Sequence, residues 1–148
     1  MSEASLKIKV GLLVVIALGI SVAFGIALGA FDWGEKKAFA VEFSDSGALR
    51  PGAQVRIAGM KAGRVATVDF LGPGASKLGR DVHVRLGIEV DIEMASSIRS
   101  DAEFHITTRG VLGEKYVEIV PGTPTSEAMR SAAMIRGFDP PRIDLFLS

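Results

Sequence analysis

Between Val10 and Phe31 the chain carries no charged side chain and consists mainly of Leu, Val, Ile, Ala and Gly. This stretch of about 22 residues would measure roughly 33 Å as a helix, against about 30 Å for the hydrocarbon core of a bilayer. A cleaved signal peptide is the alternative. Its apolar region usually runs only about 7 to 15 residues, and no A-x-A-like site precedes Asp32. Residues 10–31 are therefore expected to remain as a single transmembrane helix behind a short N-terminus, residues 1–9. Lys7 and Lys9 precede the span, while Asp32 and Glu35 follow it together with Lys36 and Lys37. That bias favours a cytoplasmic N-terminus, with the rest of the chain on the periplasmic side of a bacterial inner membrane.

Within the span Ala17, Ser21, Gly25 and Gly29 recur every four residues and fall on one helical stripe, ending in a G-x-x-x-G. Such a stripe lets a second helix approach closely. Gly and Ala are also common in membrane helices at large, so the pattern has a plain reading as well.

A chain of 148 residues has room for one domain beside the anchor. Lys plus Arg and Asp plus Glu number 17 each, which leaves no net field for holding nucleic acid. Cysteine is absent, so disulfides, thiolate metal sites and cysteine nucleophiles are excluded.

After the anchor the hydrophobic period becomes two. Val82, Val84, Leu86, Ile88 and Val90 alternate with His83, Arg85, Gly87, Glu89 and Asp91, which predicts a long half-buried strand. Shorter alternations lie at Phe39 to Phe43, Val55 to Ile57, Val65 to Phe70, Ala102 to Ile106 and Val117 to Ile119. Turn signals separate them at Pro51-Gly52, Gly59 to Gly63, Gly72-Pro73-Gly74, Gly110 to Gly113 and Pro121-Gly122. Gly59 and Gly63 are expected to bracket a tight return that pairs Val55 and Ile57 with Val65. Short strands at this spacing without intervening helices imply an all-β fold, a small barrel or sandwich. In the tail, Thr125 to Ala133 reads as a helical turn, Met134 to Arg136 as a last strand, and Asp139-Pro140-Pro141 as a helix start.

Nothing in this pattern supports catalysis, a metal or a cofactor. His83 and His105 fall on polar faces of separate strands and read as solvated, with no spacing that completes a zinc site. Asp91 and Glu93 read as a wet strand end. Gly72 to Lys77 lacks the Gly-Lys-Ser/Thr order of a phosphate loop and reads as a hairpin connection. One motif stands apart, because Gly110-Val111-Leu112-Gly113 sets two apolar residues where a turn tip usually carries Asn, Asp or Ser. Val111 and Leu112 either fold back on their own core or form an exposed apolar tip.

Two blocks resemble a known family. Residues 46–65, SGALRPGAQVRIAGMKAGRV, and residues 110–122, GVLGEKYVEIVPG, are similar to the two motifs of the mammalian-cell-entry or MlaD-like domain, in the usual order behind a single anchor. The resemblance covers about residues 38–137 and leaves 138–148 as a tail or the start of a C-terminal helix. It implies a small β-barrel and a homo-oligomeric ring, commonly a homohexamer, around a central pore that Val111 and Leu112 would line. It further implies, as partners, an inner-membrane ABC-type permease with its cytoplasmic ATPase, and phospholipid as cargo. A membrane-tethered adaptor without a lipid conduit is the competing reading.

Overall fold

The computed structural model describes residues 2–28, 34–110 and 113–140, in two compact units, Met1–Gly34 and Glu35–Ser148. In the first, helix α1 spans Glu3–Ala27, starting upstream of the uncharged stretch and taking in Lys7 and Lys9. None of its residues is buried, and its mean hydropathy reaches 2.7. Its length and composition suffice to cross a membrane. Residues 29–31, the end of the expected span, lie outside the described residues.

The second unit is one curled sheet. Its strands are β1 (Lys36–Phe43), β2 (Gln54–Ile57), β3 (Met60–Phe70), β4 (Val84–Asp91), β5 (Glu103–Thr108), β6 (Lys115–Val120) and β7 (Met134–Arg136), with a short helix α2 (Ile92–Ala95) after β4. The order across the sheet is β5-β6-β2-β3-β4-β1-β7, antiparallel except where β2 meets β6 and β1 meets β7. Alternate residues point inward and meet in one core: Phe39, Val41 and Phe43 from β1, Leu86, Ile88 and Val90 from β4, and Phe104, Ile106, Val117 and Ile119 from β5 and β6. Segments 92–102 and 123–133 close one end by inserting Ile98 and Met129, joined by a hydrogen bond from Met129 N–H to the Ile98 carbonyl at 3.0 Å.

The two sheet edges meet. Beyond β7, Phe138 donates its N–H to the Phe104 carbonyl on β5 at 2.8 Å, an isolated parallel bridge pairs Phe138 with His105, and their rings stack at 4.7 Å. Gly137 makes the crossing possible, since a Cβ there would lie 2.2 Å from the Phe43 ring. The small barrel read from the sequence is thus a sheet closed by a single bridge rather than by a full ladder.

Several local expectations need correction. The return between β2 and β3 turns on Ala58-Gly59, pairing Val55 with Gly63 and Ile57 with Met60, while Val65 pairs with Ile88 of β4. The Arg50 to Ala53 turn forms as expected, with Gly52 at φ 90° and Ala53 N–H donating to the Arg50 carbonyl at 3.1 Å. Asp91 ends β4, but Glu93 lies in α2. Thr125 to Ala133 forms no helical turn, because its backbone groups pair with Ile98 to Ser100 through the Arg99–Ala128 bridge. The Asp139 carboxylate accepts the N–H of Ser44 at 2.6 Å and binds Arg136 at 3.1 Å, and the helix expected to start there would run through residues 141–148, which lie outside the described residues.

Among the described residues one carboxylate is fully buried. Glu42 sits in register between Arg85 on β4 and Arg136 on β7. Arg85 donates to Glu42 Oε1 through Nη2 at 2.7 Å and Nε at 2.9 Å, and the Ser76 hydroxyl donates to Oε2. Ser76 thereby pins the Gly72 to Gly79 connection to the sheet. Burial pushes the Glu42 pKa up, but the Ser76 and Arg85 hydrogen bonds and the charges of Arg85 and Arg136 outweigh it and hold the group below its ordinary value of 4.5.

Two predictions follow from these local arrangements. Ala58 and Gly59 both have positive φ, 49° and 80°, as a type I′ hairpin turn requires, yet Ala suits that region poorly. Ala58→Asn should therefore raise unfolding free energy by about 0.5–1 kcal/mol in a urea titration, and an unchanged or lowered midpoint would contradict the turn assignment. Because the Glu42 pKa is lowered on folding, its stabilisation is full above about pH 4.5 and drains away as the pH falls through the folded-state value. Glu42→Gln should lower the melting temperature at pH 7 and narrow the gap between the pH 7 and pH 3 melting temperatures. Equal gaps in the two proteins would refute this.

Candidate functional site

The two sequence motifs come together in space. Strands β5 and β6 form a hairpin paired from Glu103–Val120 to Thr108–Lys115, and Arg109 N–H donates to the Glu114 carbonyl at 3.2 Å, with Gly110 and Gly113 just inside that bond. The backbone explains both glycines. Gly110 has φ 70°, and a Cβ on Gly113 would fall 1.2 Å from the Arg109 carbonyl oxygen. Val111 and Leu112, the residues singled out as an apolar tip, lie outside the described residues.

Beside this loop is a cleft of about 500 Å³ walled by Gly47 to Ala53 of the first motif and Gly113 to Lys115 of the second. Gly47 and Ala48 both have positive φ, 58° and 64°, and the Asp45 carboxylate accepts the Gly47 N–H at 2.7 Å. A smaller cleft of about 200 Å³ adjoins it, lined by Gln54, Arg109, Glu114, Lys115 and Tyr116. The Arg56 guanidinium lies 5.4 Å from the centre of the Tyr116 ring. Sequence reading missed Arg56, Arg109 and Tyr116, since only the parallel register of β2 with β6 places Arg56 beside β6.

The other singled-out residues do not join this site. On α1 the Ser21 hydroxyl donates to the Ala17 carbonyl at 2.9 Å, so the polar group is satisfied within its own helix, and nothing comes within 4 Å of a Cβ built on Gly25. Gly29 lies outside the described residues. His105 is not simply solvated, for besides its stack on Phe138 its Nε2 lies 3.0 Å from Glu103 Oε2. His83 precedes β4 and bonds through its backbone to Phe43. No three His, Cys, Asp or Glu side chains among the described residues are grouped to hold a metal ion.

Residues 35–122 match the family described as MlaD protein. The fold is similar to that of a chain in the Acinetobacter MlaFEDB complex in an ATP-bound Vtrans1 conformation, with a TM-score of 0.67 and 18% sequence identity over 95% of this chain and 96% of that one. At that identity the likeness is one of fold. No match is found among curated proteins.

The crowding at Gly113 gives a direct check on the hairpin. Gly113→Ala should cost about 1–3 kcal/mol of stability, because the new Cβ would fall 1.2 Å from the Arg109 carbonyl oxygen and backbone must shift to relieve the overlap. A melting temperature equal to that of the parent would show the loop to be built otherwise.

Proposed function

Because this chain belongs to the MlaD family, we propose that it is a membrane-anchored periplasmic subunit of an ABC-type lipid transport system, assembled as a homohexameric ring whose centre passes phospholipid. The observation that carries this reading is the extent of the likeness to the MlaFEDB chain. The 5% of this chain left uncovered amounts to about seven residues of 148, fewer than the 25 of α1, so the apolar helix is matched together with the sheet. An apolar helix with no buried residue calls for a membrane around it, and the Ala17, Ser21, Gly25 and Gly29 stripe offers a face for the permease or a neighbouring subunit. The inner-membrane permease and its cytoplasmic ATPase are the proposed partners.

The filled interior of the sheet supports the ring. A small barrel packed with its own side chains has no channel, so lipid must pass between copies and not through one. Val111 and Leu112, at the loop of the second motif, are proposed to line that passage. Apolar transfer gains about 0.8 kcal/mol per buried methylene, so a ring of such pairs can hold part of an acyl chain.

Charge at this position separates the pore from a structural role. Leu112→Asp would place one hydrated carboxylate per subunit around the constriction, and these would repel one another and the passing tails. Lipid transfer between vesicles should fall at least tenfold while the ring still assembles and melts as the parent does. Unfolding would assign Leu112 to the core, where even truncation to Ala costs about 2–5 kcal/mol. Normal transfer by a folded ring would favour a scaffold without a conduit.

A further inference from the structure

We propose that the smaller cleft at the base of the Gly110–Gly113 loop binds a phosphate ester anion, the chemistry that a phospholipid headgroup shares with free phosphate, through Arg109 and Lys115 with Arg56 behind them. The inference rests on the lipid-transport reading and names the headgroup contact of that same loop.

Where an arginine stands on the sheet, a carboxylate is supplied: Arg64 binds Glu89 at 3.1 Å, Arg85 binds the buried Glu42 at 2.7 Å, and Arg136 binds Asp81 and Asp139 at 3.0 and 3.1 Å. Around the smaller cleft this provision stops. The Lys115 side chain makes no hydrogen bond or ion pair with the described residues, and the best side-chain contact of Arg109 is a long 3.4 Å approach of Nη2 to Gln54 Oε1. Arg56 Nε is shut off from solvent without a hydrogen-bond partner, while its guanidinium is held against Tyr116. Glu114 is the carboxylate on the lining, and it forms no ion pair with a described residue. Two cations, Arg109 and Lys115, and one acid, Glu114, thus line the cleft, while Arg56 lies against Tyr116 in register with Glu118, whose carboxylate accepts the Gly59 N–H.

The shape and donor set select the anion. A planar guanidinium beside an ammonium matches the several acceptor oxygens of a phosphate ester. The volume of about 200 Å³ is near seven times the share of one liquid water, room enough for a phosphodiester. The Gln54 amide, on the same lining, can donate to a further headgroup oxygen.

The test is a calorimetric titration of the full chain in mild detergent with three probes: dihexanoyl phosphatidylglycerol below its micelle concentration, inorganic phosphate, and dihexanoylglycerol, which has the tails but no phosphate. The phosphatidylglycerol should bind saturably and dihexanoylglycerol should not. The Arg109→Gln/Lys115→Gln double variant should bind at least tenfold more weakly with an unchanged melting temperature, whereas Arg130→Gln, at an exposed turn, should match the parent. Phosphate binding as tightly as the lipid assigns the site to free phosphate, and preference for the lipid assigns it to a headgroup; both support the anion site. Equal affinity of the double variant overturns it, as does equal binding of dihexanoylglycerol. So does a double variant whose ring falls apart with affinity unchanged, which would show that the cations meet carboxylates of a neighbouring copy. Failure of the transport reading is seen separately, as normal lipid transfer by the Leu112→Asp protein.

Discussion

A sheet of seven strands has two edges whose free N–H and C=O groups invite pairing with other chains, and here the edges are turned on each other. The hydrogen bond from Phe138 to the Phe104 carbonyl, backed by the stacked rings of His105 and Phe138, is the point at which the sheet becomes a barrel. Much of the rest is arranged around this contact. Gly137 thins the chain where it passes Phe43, β7 runs parallel to β1 so that Phe138 arrives beside β5, and Arg136 ties that crossing to Asp81 and Asp139. Glu42 joins β1, β4 and the Gly72–Gly79 connection near the same seam.

Closure at this radius fills the interior, which bears directly on function. Phe39, Phe43, Phe104 and the branched residues between them leave the barrel no lumen, so any lipid path belongs to an assembly. Both clefts accordingly lie at the hairpin end of β5 and β6 and not inside. The first motif contributes the opposite wall of the larger cleft, so two blocks far apart in sequence form one surface.

The strands were legible because each buries one face, which writes a period of two into β1, β4, β5 and β6. The three residues of β7 were also found, though not their parallel partner. Pairing was harder. Val55 pairs with Gly63 and not with Val65 because the chain reverses in two residues at Ala58-Gly59 instead of over Gly59 to Gly63, and the bulge between Val55 and Arg56 moves its partner by one residue more, which no hydrophobic period records. The Glu42–Arg85 pair and the Arg56–Tyr116 contact depend on register in the same way, so neither could be read from residue types alone. α2 was missed because four residues are too few for a helical period. The loop glycines were seen, but only the geometry shows that Gly113 is required by the Arg109 carbonyl.

The central claim is that copies of this chain enclose a lipid path that no single copy contains. Native mass spectrometry of the intact detergent-purified assembly tests it most directly, since subunit number and carried molecules are read from one ion series. The account predicts a closed ring of six copies, with phospholipid masses retained on it. A monomer under conditions that keep the anchor intact, or a ring that carries no lipid, would contradict it.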